Sequence, residues 1–171
     1  FDVVASGTNL IAYEQREGDD MQRAYQLKKA IEKVPPQDFI LIDCTAKPGL
    51  LSLNALFAAD EVLIPTKSDY ISIQGMVRII QLFKRLKLLS ESKKIWLALT
   101  QAKAGNAMVE QIKSKLLHYF PSRVLNTTIR HDDAFAACQR QNKTIFVYQQ
   151  DGIGAEDYFS LAQDMIEGRV S

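Results

Sequence analysis

"DFILIDCTAKPGLLSLNAL", residues 38–56, reads as a buried strand that stops on an acid and hands over at once to a helix. The apolar residues Phe39 to Ile42 run straight into Asp43, and Gly49-Leu50-Leu51 opens the helix. An acid at the carboxyl end of a parallel strand is a common place for a metal ion or phosphate, because ligands of such sheets bind outside the strand ends. Nothing beside Asp43 in the sequence offers it a partner.

Outward from this stretch the chain alternates. Strands are expected over residues 1–5, 39–43, 61–65 and the apolar run 95–99. Helices are expected over 20–33, 50–59, 69–89, 107–119, 131–141 and 154–167. Met21, Ala24, Leu27, Ala30 and Ile31 share one face of the first, which Pro35-Pro36 stops. Ile73, Val77, Ile80 and Phe83 are in register on the third; Tyr158, Leu161, Ala162 and Met165 form the expected inner face of the last. Continuous apolar strands between amphipathic helices predict an α/β fold, a parallel sheet covered on both faces. Asp43, residues 65–68 and residues 100–103 fall at its carboxyl ends.

The 171 residues, 47% of them apolar, suit one domain spanning 1–171. No apolar run approaches the roughly 18–20 residues that cross a membrane, and residues 1–4 carry no leader signature. Cys44 and Cys138 form no CxxC pair, so both are expected as small buried hydrophobes in a reducing, cytoplasmic setting. The chain begins at Phe1, inside what reads as a strand, and a fragment or processed product is expected. Net charge is +1, but residues 84–143 hold twelve basic and four acidic side chains, between acidic flanks. On one face that excess would attract a polyanion; spread over several helix surfaces it would merely be solvated.

A hydrophobic strand ending in Asp is the Walker B pattern, whose acid holds Mg²⁺ beside a transferring phosphate. Its companion, the G-x-x-x-x-G-K-[ST] loop, is absent: glycines stand at 7, 18, 49, 75, 105, 152, 154 and 168, with no pair at that spacing.

"DFILIDCTAKPGLLSLNALFAADEVLIPTKSDYISIQGM" resembles the central segment of the ParA/Soj family of partition ATPases, where the pattern is roughly YDYIxIDCPPSLGxLTxNAL and then AADxVLIPxxxEYxxLxGL. "DVVASGTNLIAYE", "ALTQA", "HYFPSRVLNTTIRHDDAFAAC" and "NKTIFVYQQDGIGAEDYFSLAQDM" are similar to further family segments in the same order, so the likeness spans nearly the whole chain. The resemblance implies a P-loop NTPase-like α/β fold lacking its first strands, with Asp43 as the catalytic, Mg²⁺-holding acid and "CTAKPG", residues 44–49, as a nucleotide-sensing switch loop. It implies ATP contacts at Thr100, Ile129, Arg130 and His131, the last three standing where many members have the IPRN stretch. It further implies an ATP-linked homodimer, sequence-blind DNA binding, hydrolysis stimulated by a ParB-like partner, and a cytoplasmic, nucleoid-associated protein. Lys84, Arg85, Lys87, Lys93, Lys94, Lys103 and Arg130 are the expected phosphate contacts. The family's P-loop precedes the region of likeness, so the chain by itself is expected to be inactive.

The sequence also departs from the family. Thr45-Ala46-Lys47 replaces the usual Pro-Pro-Ser, and Lys103 and Gly105 stand where Asp and Arg often follow LLT. Other readings stay open: a non-enzymatic ParA-like module that binds DNA or a partner, or a ParA-like protein used in conjugation or polar localisation. The acidic end of the chain argues against a MinD-type membrane helix. A phospho-receiver would want Pro four residues after the acid, whereas Pro48 is five on. His118 and His131 show no metal or triad spacing, Trp96 reads as core packing and Asp69 as a helix N-cap. Asn54 reads as helix packing or a switch contact.

Overall fold

The computed structural model describes residues 2–5, 7, 9–15, 18, 20–44, 49–85 and 93–171. Two compact units divide the chain, residues 1–60 and 61–171.

The first unit is helical. It comprises α1 (Asn9–Gln15), α2 (Asp20–Ala24), α3 (Gln26–Ile31) and α4 (Leu50–Ala58), with α4 packed against the other three. The helix expected over 20–33 is two helices broken at Tyr25, and tertiary partners explain the break. The carbonyl of Arg23 accepts the Tyr13 hydroxyl at 2.9 Å, and the amide of Leu27 donates to Asn54 Oδ1 at 3.0 Å. Those two groups would otherwise bond each other in the i→i−4 ladder. Asn54, buried on α4, also donates Nδ2 to the Leu50 carbonyl, so its packing role is realised within this unit. Tyr25 stacks on Phe57 with centroids 4.4 Å apart.

Two expected strands are corrected here. Residues 2–5 and 39–43 belong to no β-ladder among the described residues. Phe39 is 70% and Leu41 92% exposed. An apolar run becomes a strand only when a neighbour takes its N–H and C=O groups, and these residues have no such neighbour among the described residues.

The second unit is the α/β part. β1 (Glu61–Lys67) and β2 (Lys94–Thr100) pair in parallel from Glu61↔Lys94 to Lys67↔Thr100, and α5 (Tyr70–Arg85) lies between them in sequence. This is a βαβ unit, and the predicted parallel α/β class holds. Asp69 caps α5: its Oδ1 accepts the Ser72 amide at 2.8 Å and its Oδ2 the Ser72 hydroxyl at 2.9 Å. These bonds hold its carboxyl below the ordinary range. The expected helix over 69–89 is described only to Arg85; the rest lies outside the described residues.

Beyond β2 come α6 (Ala107–Tyr119), α7 (Ala134–Arg140), α8 (Ile145–Tyr148) and α9 (Ile153–Glu167). Every residue from Ile95 to Leu99 is buried, as a strand covered on both faces requires. Trp96 and Ala98 point to one face and cluster with Leu125, Ile129 and Leu161 of α9. Strand alternation sends Ile95, Leu97 and Leu99 to the other. The helix expected over 131–141 starts later, because Asp132 Oδ1 turns back to accept the Ala134 amide at 2.9 Å. Of the thiols, Cys138 is buried as expected, whereas Cys44 is exposed. No helix among the described residues is long and apolar enough to cross a membrane.

Candidate functional site

At the carboxyl end of β2 the chain turns on Gln101, which adopts φ 53, a left-handed conformation uncommon for a residue with a Cβ. Ala102, now buried, bridges in parallel to Arg130, and Leu97 does the same to Val124. Residues 123–131 thus form a third lane of the sheet that the sequence reading did not include. Its signal was the β-branched and apolar content of 124–129 between two helices.

The lane is irregular. The amides of Leu125 and Ile129 donate to alternate carbonyls of β2, Leu97 and Leu99, so residues 126–128 bow out between them. Ala102 then donates to the Ile129 carbonyl at 3.1 Å and accepts from the His131 amide at 2.9 Å. Thr100, half-buried at the end of β2, and Ile129, Arg130 and His131 are thereby brought to one sheet end.

On the far side of this lane α9 supplies the acceptors. Asp164 Oδ2 takes the amide of Thr127 at 2.7 Å, and Asp157 Oδ2 takes that of Arg130 at 2.8 Å. The two acids are 4% and 6% exposed and lie seven residues apart on one helix face. This corrects the expected inner face of α9. Leu161 is buried as predicted, but Tyr158 and Ala162 are exposed, and Asp157 and Asp164 are turned inward. A buried carboxylate is tolerated because it accepts hydrogen bonds from groups that would otherwise be orphaned.

Arg130 returns to the same acid with its side chain. Its Nε donates to both Asp157 oxygens at 3.0 Å, and its Nη2 to Asp157 Oδ1 at 2.6 Å and Glu156 Oε2 at 2.8 Å. The bonds from Asp157, and then Glu156, push the guanidinium further above its ordinary range. His131 lies 3.5 Å from Asp133 through Nε2.

The expected phosphate contacts are divided. Lys84 and Arg85 close the last turn of α5, Lys94 opens β2 and Lys93 immediately precedes it. Lys103 and Arg130 lie on segments at the strand's other end. Lys94 is paired with Glu61 at 3.1 Å and sits 5.9 Å from the Trp96 ring centroid. Lys84, Arg85 and Lys103 are exposed and make no ion pair among the described residues. Lys87, and Thr45–Pro48 of the expected switch including Lys47, lie outside the described residues. Asp43 belongs to the first unit, where it is exposed and forms no hydrogen bond or ion pair among the described residues. No cluster of three or more His, Cys, Asp or Glu side chains that could hold a metal occurs among the described residues.

The family model described as an AAA domain (AAA_31) matches residues 1–97. Sporulation initiation inhibitor protein Soj of Bacillus subtilis is 29% identical over 96% of this chain and 66% of its own length. The chromosome-partitioning ATPase Soj of Treponema pallidum is 30% identical over 86% of this chain and 60% of its own. The chain therefore spans less than two thirds of these relatives. A plasmid partition protein of Borrelia burgdorferi B31, solved bound to AMPPNP, shares the fold with a TM-score of 0.77 at 17% identity, covering 95% of this chain and 62% of that one.

Proposed function

This chain belongs to the AAA-domain family whose model it matches, within the ParA/Soj group of partition ATPases, and on that footing we propose that it is the part of an ATP-dependent partition protein that holds the nucleotide base and the metal-binding acid. The whole chain is read as one ATPase domain. The complete protein binds MgATP, dimerises with nucleotide between subunits and coats DNA without sequence preference. It releases DNA when a ParB-like partner stimulates hydrolysis, and it works in the cytoplasm on the nucleoid.

The observation that supports this most is the Ala102–Arg130 bridge. It sets Ile129, Arg130 and His131 beside Thr100 at the carboxyl end of a parallel strand, where ligands of such sheets bind. The residues fit the groups the family implies. Asp43 presents an exposed carboxylate, the oxygen donor that Mg²⁺ prefers. Ile129–His131 presents a backbone fixed from both sides, suited to a flat base rather than to phosphate, since Asp157 and Glu156 make the neighbourhood acidic. When bound, Mg²⁺ would offset charge on the transferring phosphoryl group. Exposed Lys84, Arg85 and Lys103 support the DNA contact, with Lys87 and Lys93 as further candidates.

The test is MgATP turnover and DNA binding by the full-length protein, with Asp43→Ala alongside. ATP-dependent DNA binding, with turnover lost in the variant, is expected. DNA binding that is the same with and without ATP, or turnover that survives Asp43→Ala, would sink the proposal.

A further inference from the structure

We infer that Asp157 is a positioning residue for nucleotide recognition: by holding both the amide and the guanidinium of Arg130, it sets the geometry of the base-contacting segment and so the preference for adenine. This rests on the nucleotide reading above. Residues 126–128 have left the β2 ladder, so the segment re-enters it only at Ile129. β2 fixes one side there, through the Ile129 and His131 amides and the Ile129 carbonyl. On the other side no strand among the described residues takes its amides, and α9 stands in for one. Asp157 accepts the Arg130 amide at 2.8 Å and then closes a fork on the guanidinium at 2.6–3.0 Å. One buried carboxylate therefore sets both the backbone position of residue 130 and the direction of its side chain. A forked carboxylate–guanidinium pair is geometrically exacting, so it fixes orientation as well as distance. Asp164 performs the amide half of this task alone, at Thr127 within the bowed section. It is thus an internal control that is equally buried but acts away from the base-contacting residues.

The experiment measures dissociation constants of a fluorescent ATP analogue for the full-length protein, with ATP and GTP as competitors. It adds KM and kcat for ATP and the melting temperature. Asp157→Ala should weaken ATP binding about tenfold, the scale of losing charge-assisted hydrogen bonds, and narrow the ATP-to-GTP ratio. KM should rise while kcat at saturation stays near that of the wild type. Asp157→Asn, which keeps an acceptor for the Arg130 amide, should recover part of both losses, and it stands in if the alanine variant does not fold. Asp164→Asn should lower the melting temperature with the ATP-to-GTP ratio unchanged. Variants of Asp157 that melt lower but discriminate ATP from GTP as the wild type does would overturn the inference and leave the nucleotide reading standing. A wild-type protein that binds neither nucleotide would remove both.

Discussion

The indole Nε1 of Trp96 donates a 2.6 Å hydrogen bond to Glu61 Oε2, across the parallel pair and two residues along the register from the Glu61↔Lys94 match. Lys94 closes the group from the other side, with Nζ 3.1 Å from Glu61 Oε1. The starts of both strands are thereby tied by one carboxylate. Burial acts to raise the Glu61 pKa, but the bonds from Trp96 and Lys94 outweigh it and hold the carboxyl below its ordinary value of 4.5.

A pH dependence follows from that shift. The folded carboxyl gives up its proton more readily than the unfolded one. Its contribution to stability is complete above the ordinary value and is lost as pH falls through the lowered folded value. Glu61→Gln keeps an acceptor for Trp96 but loses the charge. It should cost about 1 kcal/mol at neutral pH and flatten the acid limb of the stability curve below about pH 4.5. Urea titrations from pH 3 to 7 (an approximate window) on both proteins check this; parallel acid limbs would contradict it.

Leu97 is 1% exposed at the centre of β2 and bonds through its backbone to residues 123 and 125. Leu97→Ala leaves a cavity that the flanking lanes, held by hydrogen bonds, cannot readily close. A loss of about 3 kcal/mol is expected from chemical denaturation.

Gly168 ends α9 in the left-handed conformation, φ 66, and lets the Arg169 amide reach the Asp164 carbonyl at 2.8 Å. A Cβ there meets no neighbouring atom, so any cost of Gly168→Ala is conformational alone. About 1 kcal/mol is expected, seen as a lower denaturation midpoint with an unchanged slope.

The expected DNA contacts should separate by their ion pairs. In the full-length protein, Lys84→Ala, Arg85→Ala and Lys103→Ala should each weaken DNA binding across sequences. Each should reduce the dependence of log K on log salt by about one unit. Lys94→Ala should change that slope less, because Glu61 already offsets its charge. A Lys94 effect equal to the other three would show that DNA displaces the pair.

What the sequence determined is what depends on near neighbours. Apolar periodicity placed β1, α5, β2, α6 and α9 within a few residues of where they lie, because a helix face or buried strand must repeat its apolar residues at a fixed period. The Asp69 cap and the packing of Trp96 were legible for the same local reason. The end of β2 could be marked as a candidate ligand end from the order of segments, whereas residues 129–131 entered only through the resemblance to the partition ATPases. Which groups meet was not legible, since hydrogen-bond partners are chosen across the fold. Tyr13 and Asn54 broke the first long helix by taking its backbone groups, and residues 39–43 stayed outside any ladder of the described residues despite a strand-like composition. Asp157 and Asp164 were not among the residues expected on the inner face of α9, yet both are buried there. A buried amide without a strand beside it needs an acceptor more than the helix needs another apolar residue, and only the tertiary structure decided where those amides lie.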